Sequence, residues 1–167
     1  MQDSVDRKIA RWRDELPDTD WEAEGVVARI HVIQRELSGH KRASLKRHGL
    51  ELGQWQTLRD LRGLGAPYRA TPSELAARAG LSPAAMTKRL DGLERAGHLT
   101  RSLDHADRRR ITVELTPAGK AVWEQTVRDR DLREQELLAQ LTPAQRGQLT
   151  SLLRRIVLAI DHADKGR

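Results

Sequence analysis

Apolar side chains recur three or four residues apart over most of this chain, and the spacing shifts to alternation in one short stretch. Val5, Ile9, Trp12 and Leu16 make one stripe on a short helix expected to end at Pro17. Asp18-Thr19-Asp20 offers caps for a second helix, striped by Val26, Val27, Ile30, Ile33 and Leu37. That helix is expected to run to His48 before Gly49, with Gly39 a candidate bend. Leu52, Trp55, Leu58 and Leu61 predict a third helix closed by Gly63 and Gly65, and Gly65-Ala66-Pro67 reads as a linker. Thr71 then caps a helix with Pro72 in its first position, Glu74 completing a capping box and Gly80 at its end. The same grammar repeats at once with Ser82, Pro83 and a helix down to Gly97. Only after Gly97 does the period become two: Leu99, Arg101 and Leu103, then Ile111, Val113 and Leu115, on either side of the charged loop DHADRRR. Thr116-Pro117 opens a long helix. Thr142-Pro143-Ala144-Gln145 opens the last one, which carries Leu149, Leu152, Leu153, Ile156, Val157 and Ile160 as a wide apolar stripe.

Two short helices joined by a tight turn and followed by a hairpin with a basic tip predict a winged helix-turn-helix. The fold class is therefore mainly α with a small β-hairpin wing. On the second of the two helices Met86, Leu90 and Leu93 share the face that should pack inward. Ala84, Thr87, Lys88 and Asp91 share another, with Ser82 and Pro83 at its N-terminal end. Short side chains let a backbone approach base edges, and a few polar groups can read donors and acceptors in a major groove. Taken alone, that face also fits an ordinary solvated helix surface. In the hairpin loop, Asp107 stands beside Arg108 and Arg109, where a carboxylate can hold a guanidinium in one pose. Arginine on a wing tip suits the negative potential of a narrow minor groove, although a solubilising charge cluster has the same composition.

Composition narrows the classes. The chain holds no cysteine, which excludes disulfides, cysteine-ligated zinc and thiol redox sensing within it. With no Phe, one Tyr and four Trp, its core has to be aliphatic. No apolar run approaches a membrane span and the N-terminal residues are charged, so a soluble, cytoplasmic protein with no membrane association is expected. The net charge of +6 is unevenly spread. Residues 1–25 hold 4 basic and 8 acidic side chains, residues 40–70 hold 7 and 2, and residues 82–110 hold 7 and 4. Positive charge gathers on and beside the predicted reading head, where phosphates would lie, and the acidic arm belongs away from a duplex.

The run ELAARAGLSPAAMTKRLDGLERAGHLTRSLDHADRRRITVELTPAG resembles the core of the MarR family of transcriptional regulators. The match includes the wing signature Asp107-Arg108-Arg109 and the following Leu115-Thr116-Pro117-Ala118-Gly119. The resemblance implies a homodimer, with a helical dimerisation region made from both chain ends. On that reading residues 1–49 supply N-terminal dimerisation and pocket helices, 50–116 the winged helix-turn-helix, and 117–167 C-terminal dimerisation helices. Double-stranded DNA with a palindromic operator is the implied partner, because two heads about 34 Å apart meet successive major grooves. WRDELPDTD followed by VARIHVI is similar to the extra first helix of the PecS and urate-responsive branch. That similarity implies a pocket for a small aromatic anion effector. Trp12, Arg89 and Arg101 match the pocket tryptophan and arginines of the branch, and Gln56 stands where an acidic residue is usual.

No catalytic constellation accompanies these features. The histidines at 31, 40, 48, 98, 105 and 162 lack metal-ligand spacing, and no phosphate-cradling glycine loop or nucleophile elbow occurs, so neither an enzyme nor a cofactor is expected. The leading expectation is a ligand-regulated dimeric repressor. A constitutive or architectural DNA binder without effector, and a winged-helix module for protein or RNA contacts, are the alternatives. A specific regulator prefers its operator by about a thousandfold or more, with a steep salt dependence.

Overall fold

The structure of the chain, a computed structural model, describes residues 2–103 and 110–165. The elements in order are α1 (Ser4–Trp12), α2 (Trp21–Arg47), α3 (Leu52–Gly63), β1 (Arg69–Ala70), α4 (Pro72–Ala79), α5 (Pro83–Arg95), β2 (Leu99–Leu103), β3 (Ile111–Leu115), α6 (Pro117–Leu138) and α7 (Pro143–Lys165). They divide into two compact units, Met1–Arg130 and Asp131–Arg167.

The first unit contains the winged helix. Its core is aliphatic apart from Trp55 and Met86 and draws on every element from α2 to α6: Leu45, Leu50, Leu58, Leu61, Leu75, Leu90, Leu93, Leu99, Val113, Leu115 and Val122 are all buried. The predicted caps hold the helices in place. Thr71 Oγ1 accepts from the backbone N–H of Glu74, and the Glu74 carboxylate accepts from that of Thr71. Gly80 adopts the left-handed conformation that ends α4. Ser82 caps α5 by accepting from the Ala85 N–H.

Three strands form an antiparallel sheet in the order β1-β3-β2. β2 and β3 pair Leu99 with Leu115, Arg101 with Val113 and Leu103 with Ile111. β1 pairs Arg69 with Glu114 and Ala70 with Val113, and an Arg69–Glu114 ion pair of 2.8 Å spans the ladder. β1 lies between the Gly65-Ala66-Pro67 linker and the Thr71 cap, outside every element the sequence predicts, since two residues are too few to display a period. At the other end, α1 stops at Trp12, five residues short of Pro17, where the polar run Arg13-Asp14-Glu15 supplies no apolar face for another turn. Asp3 and Asp6 form the capping box of α1, and both carboxylates accept from Arg29 of α2 at 2.9 and 2.5 Å.

Several contacts join α6 to this core. Thr116 Oγ1 donates to the Gly97 carbonyl and accepts from the Gly119 N–H, which fastens the start of α6 to the turn before β2. Further along, the buried Trp55 Nε1–H donates to Thr126 Oγ1 at 2.9 Å. Asp129 accepts from Ser44 Oγ at 2.5 Å and from Arg47 at 2.9 Å, so α2 is held too. The Ser44 hydrogen bond, ahead of the nearby His48 and Arg47, keeps the Asp129 carboxyl below its ordinary range.

In the second unit, Thr142 and Gln145 form the predicted capping box of α7. Leu149, Leu152, Leu153, Ile156, Val157 and Ile160 are all exposed.

Gly119 has no room for a side chain: an added Cβ would stand 1.9 Å from the His98 carbonyl oxygen, which is backbone and cannot swing away. Gly119→Ala is expected to cost about 1–3 kcal/mol of stability by forcing α6 off the hairpin turn. Urea unfolding measures this, and an unchanged midpoint would contradict it.

Candidate nucleic-acid interface

The reading face of α5 follows from which of its sides is consumed by packing. Met86, Leu90 and Leu93 are fully buried, and α5 packs on α3, α4 and β2. Ser82, Pro83, Ala84, Thr87 and Lys88 are exposed. Ala84, Thr87 and Lys88, at i, i+3 and i+4, form one patch with a methyl, a methyl-bearing hydroxyl and a cation. The Thr87 hydroxyl donates to the Pro83 carbonyl at 2.9 Å, which fixes its rotamer and leaves its lone pairs outward. Lys88 makes no ion pair with any described residue. Such a patch can approach base edges closely and offer a hydrogen-bond acceptor and a positive donor to them.

Asp91, one turn further along, is partly committed elsewhere. Arg101 of β2 donates from Nη2 to Asp91 at 2.5 Å and to Glu94 at 2.6 Å. Its Nε donates to the same Glu94 oxygen at 2.9 Å, and its backbone N–H to the other at 3.1 Å. Arg101 thus occupies an apolar register position of the strand because two carboxylates of α5, spaced i, i+3, meet it there. Glu94 was not singled out from the sequence. An acidic pair on the helix facing an arginine in an apolar strand register is the signal that would have found it. The hydrogen bond from Arg101 holds the Glu94 carboxyl below its ordinary range.

Arg89 turns the other way, towards α3. Its guanidinium lies over Gly53, within 2.8 Å of where a Cβ would stand, and the Gln54 amide nitrogen lies 2.7 Å from the Cβ position of Gly92. Each helix therefore receives a polar side chain of the other over a glycine. Arg89 lines a cleft with Glu51, Gln54, Lys88 and Arg95, and Trp12, Gln56 and Arg101 do not border it. Trp12 ends α1 with 48% of its surface exposed, and Gln56 is half-buried on α3. The four residues assigned to an effector pocket are thus not gathered around one described cavity.

Asp107, Arg108 and Arg109, along with His105, lie outside the described residues. Arg110, at the base of the loop, is exposed, with Glu74 of α4 at 3.9 Å. No helix among the described residues is long and apolar enough to cross a membrane, and no group of three or more metal-binding side chains occurs among them.

The Glu94 carboxyl has a folded pKa below its unfolded one, so its contribution is complete above the ordinary glutamate range and is lost as pH falls through the folded value. Wild type is therefore expected to lose more stability than Glu94→Gln between about pH 6 and pH 3. Urea titrations across that range check the sign, and parallel profiles would contradict it.

The model of the MarR family matches residues 50–111, from α3 through the hairpin. PecS, an HTH-type transcriptional regulator of Dickeya dadantii (strain 3937), is 28% identical over 148 residues, which cover 89% of this chain and 89% of PecS. YetL, an HTH-type transcriptional repressor of Bacillus subtilis (strain 168), is 36% identical over 95 residues, covering 57% of this chain and 52% of YetL. The crystal structure of YusO from Bacillus subtilis shares the fold, with a TM-score of 0.77 at 22% identity over 85% of this chain and 99% of YusO. Residues 50–111 thus carry the core of the MarR family in a winged helix-turn-helix, and the chain resembles the transcriptional regulator PecS along most of its length.

Proposed function

We propose that the protein is a cytoplasmic repressor that binds a palindromic operator as a homodimer and releases it on binding a small aromatic anion. The observation that carries this reading is the exposed Ala84–Thr87–Lys88 patch on a helix whose opposite side is wholly buried. In the complex α5 enters a major groove, with Ser82 and Pro83 at its leading end and Asp91 at the far edge of the contact. Asp107, Arg108 and Arg109 carry the wing into the adjacent minor groove. PecS is a transcriptional regulator and YetL a transcriptional repressor, which supports repression as the outcome.

Two exposed apolar faces favour a two-fold assembly. In the first unit Val26, Val27, Ile30 and Ile33 are exposed on α2, and in the second the stripe of α7 is exposed. Aliphatic faces of that extent are expected to be covered in water. A second copy that covers them brings a second reading helix, and a palindromic operator needs the two about 34 Å apart.

Release follows from the two arginines. Arg89 is free of described carboxylates, and Arg101 is the tie between β2 and α5. An anion that draws either guanidinium towards Trp12 and Gln56 has to compete with the α5 contacts, and so shifts the population away from the DNA-binding arrangement by its differential affinity.

Lys88→Ala is expected to reduce discrimination between operator and mismatched duplex by about 1–3 kcal/mol. Binding to the operator and to single-mismatch duplexes at fixed salt tests this, and an unchanged ratio would contradict base reading by Lys88. For the effector, aromatic carboxylates and purine anions are titrated into the protein–operator complex. Trp12→Ala is expected to need at least about tenfold more ligand for release, a loss of 1.4 kcal/mol. Identical release curves for the two proteins would remove Trp12 from the switch.

A further inference from the structure

Two cations lie over one indole at the junction of α2 and α3. Lys41 Nζ of α2 stands 3.9 Å from the centre of the Trp55 ring, and the Arg59 guanidinium of α3 stands 5.8 Å from the same centre. Trp55 itself is buried and fixed by its hydrogen bond to Thr126 of α6. Lys41 is half-buried there and makes no ion pair with any described residue. A single ammonium over an indole is an ordinary cation–π contact. A second cation on the same ring, with no described carboxylate for the first, adds a repulsion that the contact alone does not require. Burial, ahead of the nearby Arg59 and Arg130, holds the pKa of the Lys41 amine below the usual lysine range.

An amine in this setting is a nucleophile, because a lysine that sheds its proton more readily offers its lone pair nearer neutral pH. The neighbouring arginine decides which electrophile suits it. Arg59 gives Nε and Nη2 to one oxygen of Asp60, at 3.1 and 2.9 Å, and about half of its side chain is open to solvent. Its Nη1 donates to no described residue and is left to receive an oxyanion. The electrophile that fits is anionic, with the charged group bonded directly to its acyl carbon through the leaving oxygen. An acyl phosphate has that construction. A thioester is uncharged at its reacting end and gains nothing from Arg59.

We propose that Lys41 is a modification site that takes the acyl group of an acyl phosphate, with Arg59 receiving the phosphate. The free amine attacks the acyl carbon, and the N–C bond forms as the C–O bond to the phosphate breaks. The phosphate leaves with the bonding pair, and the surplus proton on nitrogen passes to it. The product is a neutral amide, so the α2–α3 junction loses one charge and the cation–π contact of Lys41.

The test incubates the full, folded chain with acetyl phosphate and follows acetylation at each lysine by mass spectrometry. Lys8, Lys46, Lys88 and Lys120 serve as internal comparators. Lys41 is expected to react at least about threefold faster than any of them, and to lose that lead once urea unfolds the chain. The N-hydroxysuccinimide ester of acetic acid, which carries no phosphate, separates the two parts of the site. Inorganic phosphate should slow acetylation of Lys41 by acetyl phosphate and leave its reaction with the ester unchanged. Arg59→Gln should reduce the lead of Lys41 with acetyl phosphate more than its lead with the ester. A Lys41 rate no higher than the comparators would overturn the proposal. So would a lead that survives in urea, which assigns it to neighbours in the chain rather than to the fold. Equal effects of phosphate or of Arg59→Gln on the two reagents would overturn it as well, since Arg59 would then receive no phosphate.

Discussion

The burial of one side of α5 is the constraint on which the rest of the winged helix depends. Met86, Leu90 and Leu93 lose all contact with water. At about 1.5–3 kcal/mol for each buried side chain, this outweighs any surface ion pair the helix makes. Rolling α5 by one residue, about 100°, would expose those three and bury Thr87 or Lys88 in their place. The reading face is therefore defined by exclusion: it is what remains when the core has taken its share. A neighbouring patch of α5 is shaped by α3 instead, where Gly53 and Gly92 make room for Arg89 and Gln54.

Polar contacts then tune what burial has fixed. Arg101 ties β2 to α5, so the wing and the reading helix share one anchor, and Thr116 fastens the start of α6 to the turn ahead of β2. Asp129 and Thr126 join α6 to α2 and α3. Bonded groups therefore run from α2 and α3 through α6 to the turn ahead of β2. The Trp55–Thr126 bond is buried, whereas the ion pairs of Arg101 and Arg47 are partly exposed and each contributes modestly.

Much of the fold was legible because its signals are local. Thr71 with Glu74, Ser82, and Thr142 with Gln145 declare helix starts through capping chemistry, and the structure has helices at each. The change from a period of three or four to a period of two at Gly97 marks the hairpin for the same reason. What escaped notice depends on distance. β1 exists because β3 pairs with it, and nothing in Arg69-Ala70 announces a partner more than forty residues away. Glu94 acquires its importance only once β2 folds back along α5. Trp12 and Leu16 looked like one stripe with Val5 and Ile9, yet only Val5 of these is buried, because helical spacing shows that a face exists and not what covers it. The same limit applies to α2 and α7, whose stripes were plain in the sequence and lie exposed in the folded chain.

The central claim is that α5 reads a major groove twice, once from each subunit of a two-fold assembly. Methylation interference on the selected operator addresses it most directly, since N7 methylation of guanine obstructs the major groove alone. The account predicts two clusters of interfering guanines, symmetry-related and centred about 10 base pairs apart or a multiple of that, on one side of the duplex. A single cluster, or strong binding with no interference anywhere, would contradict it.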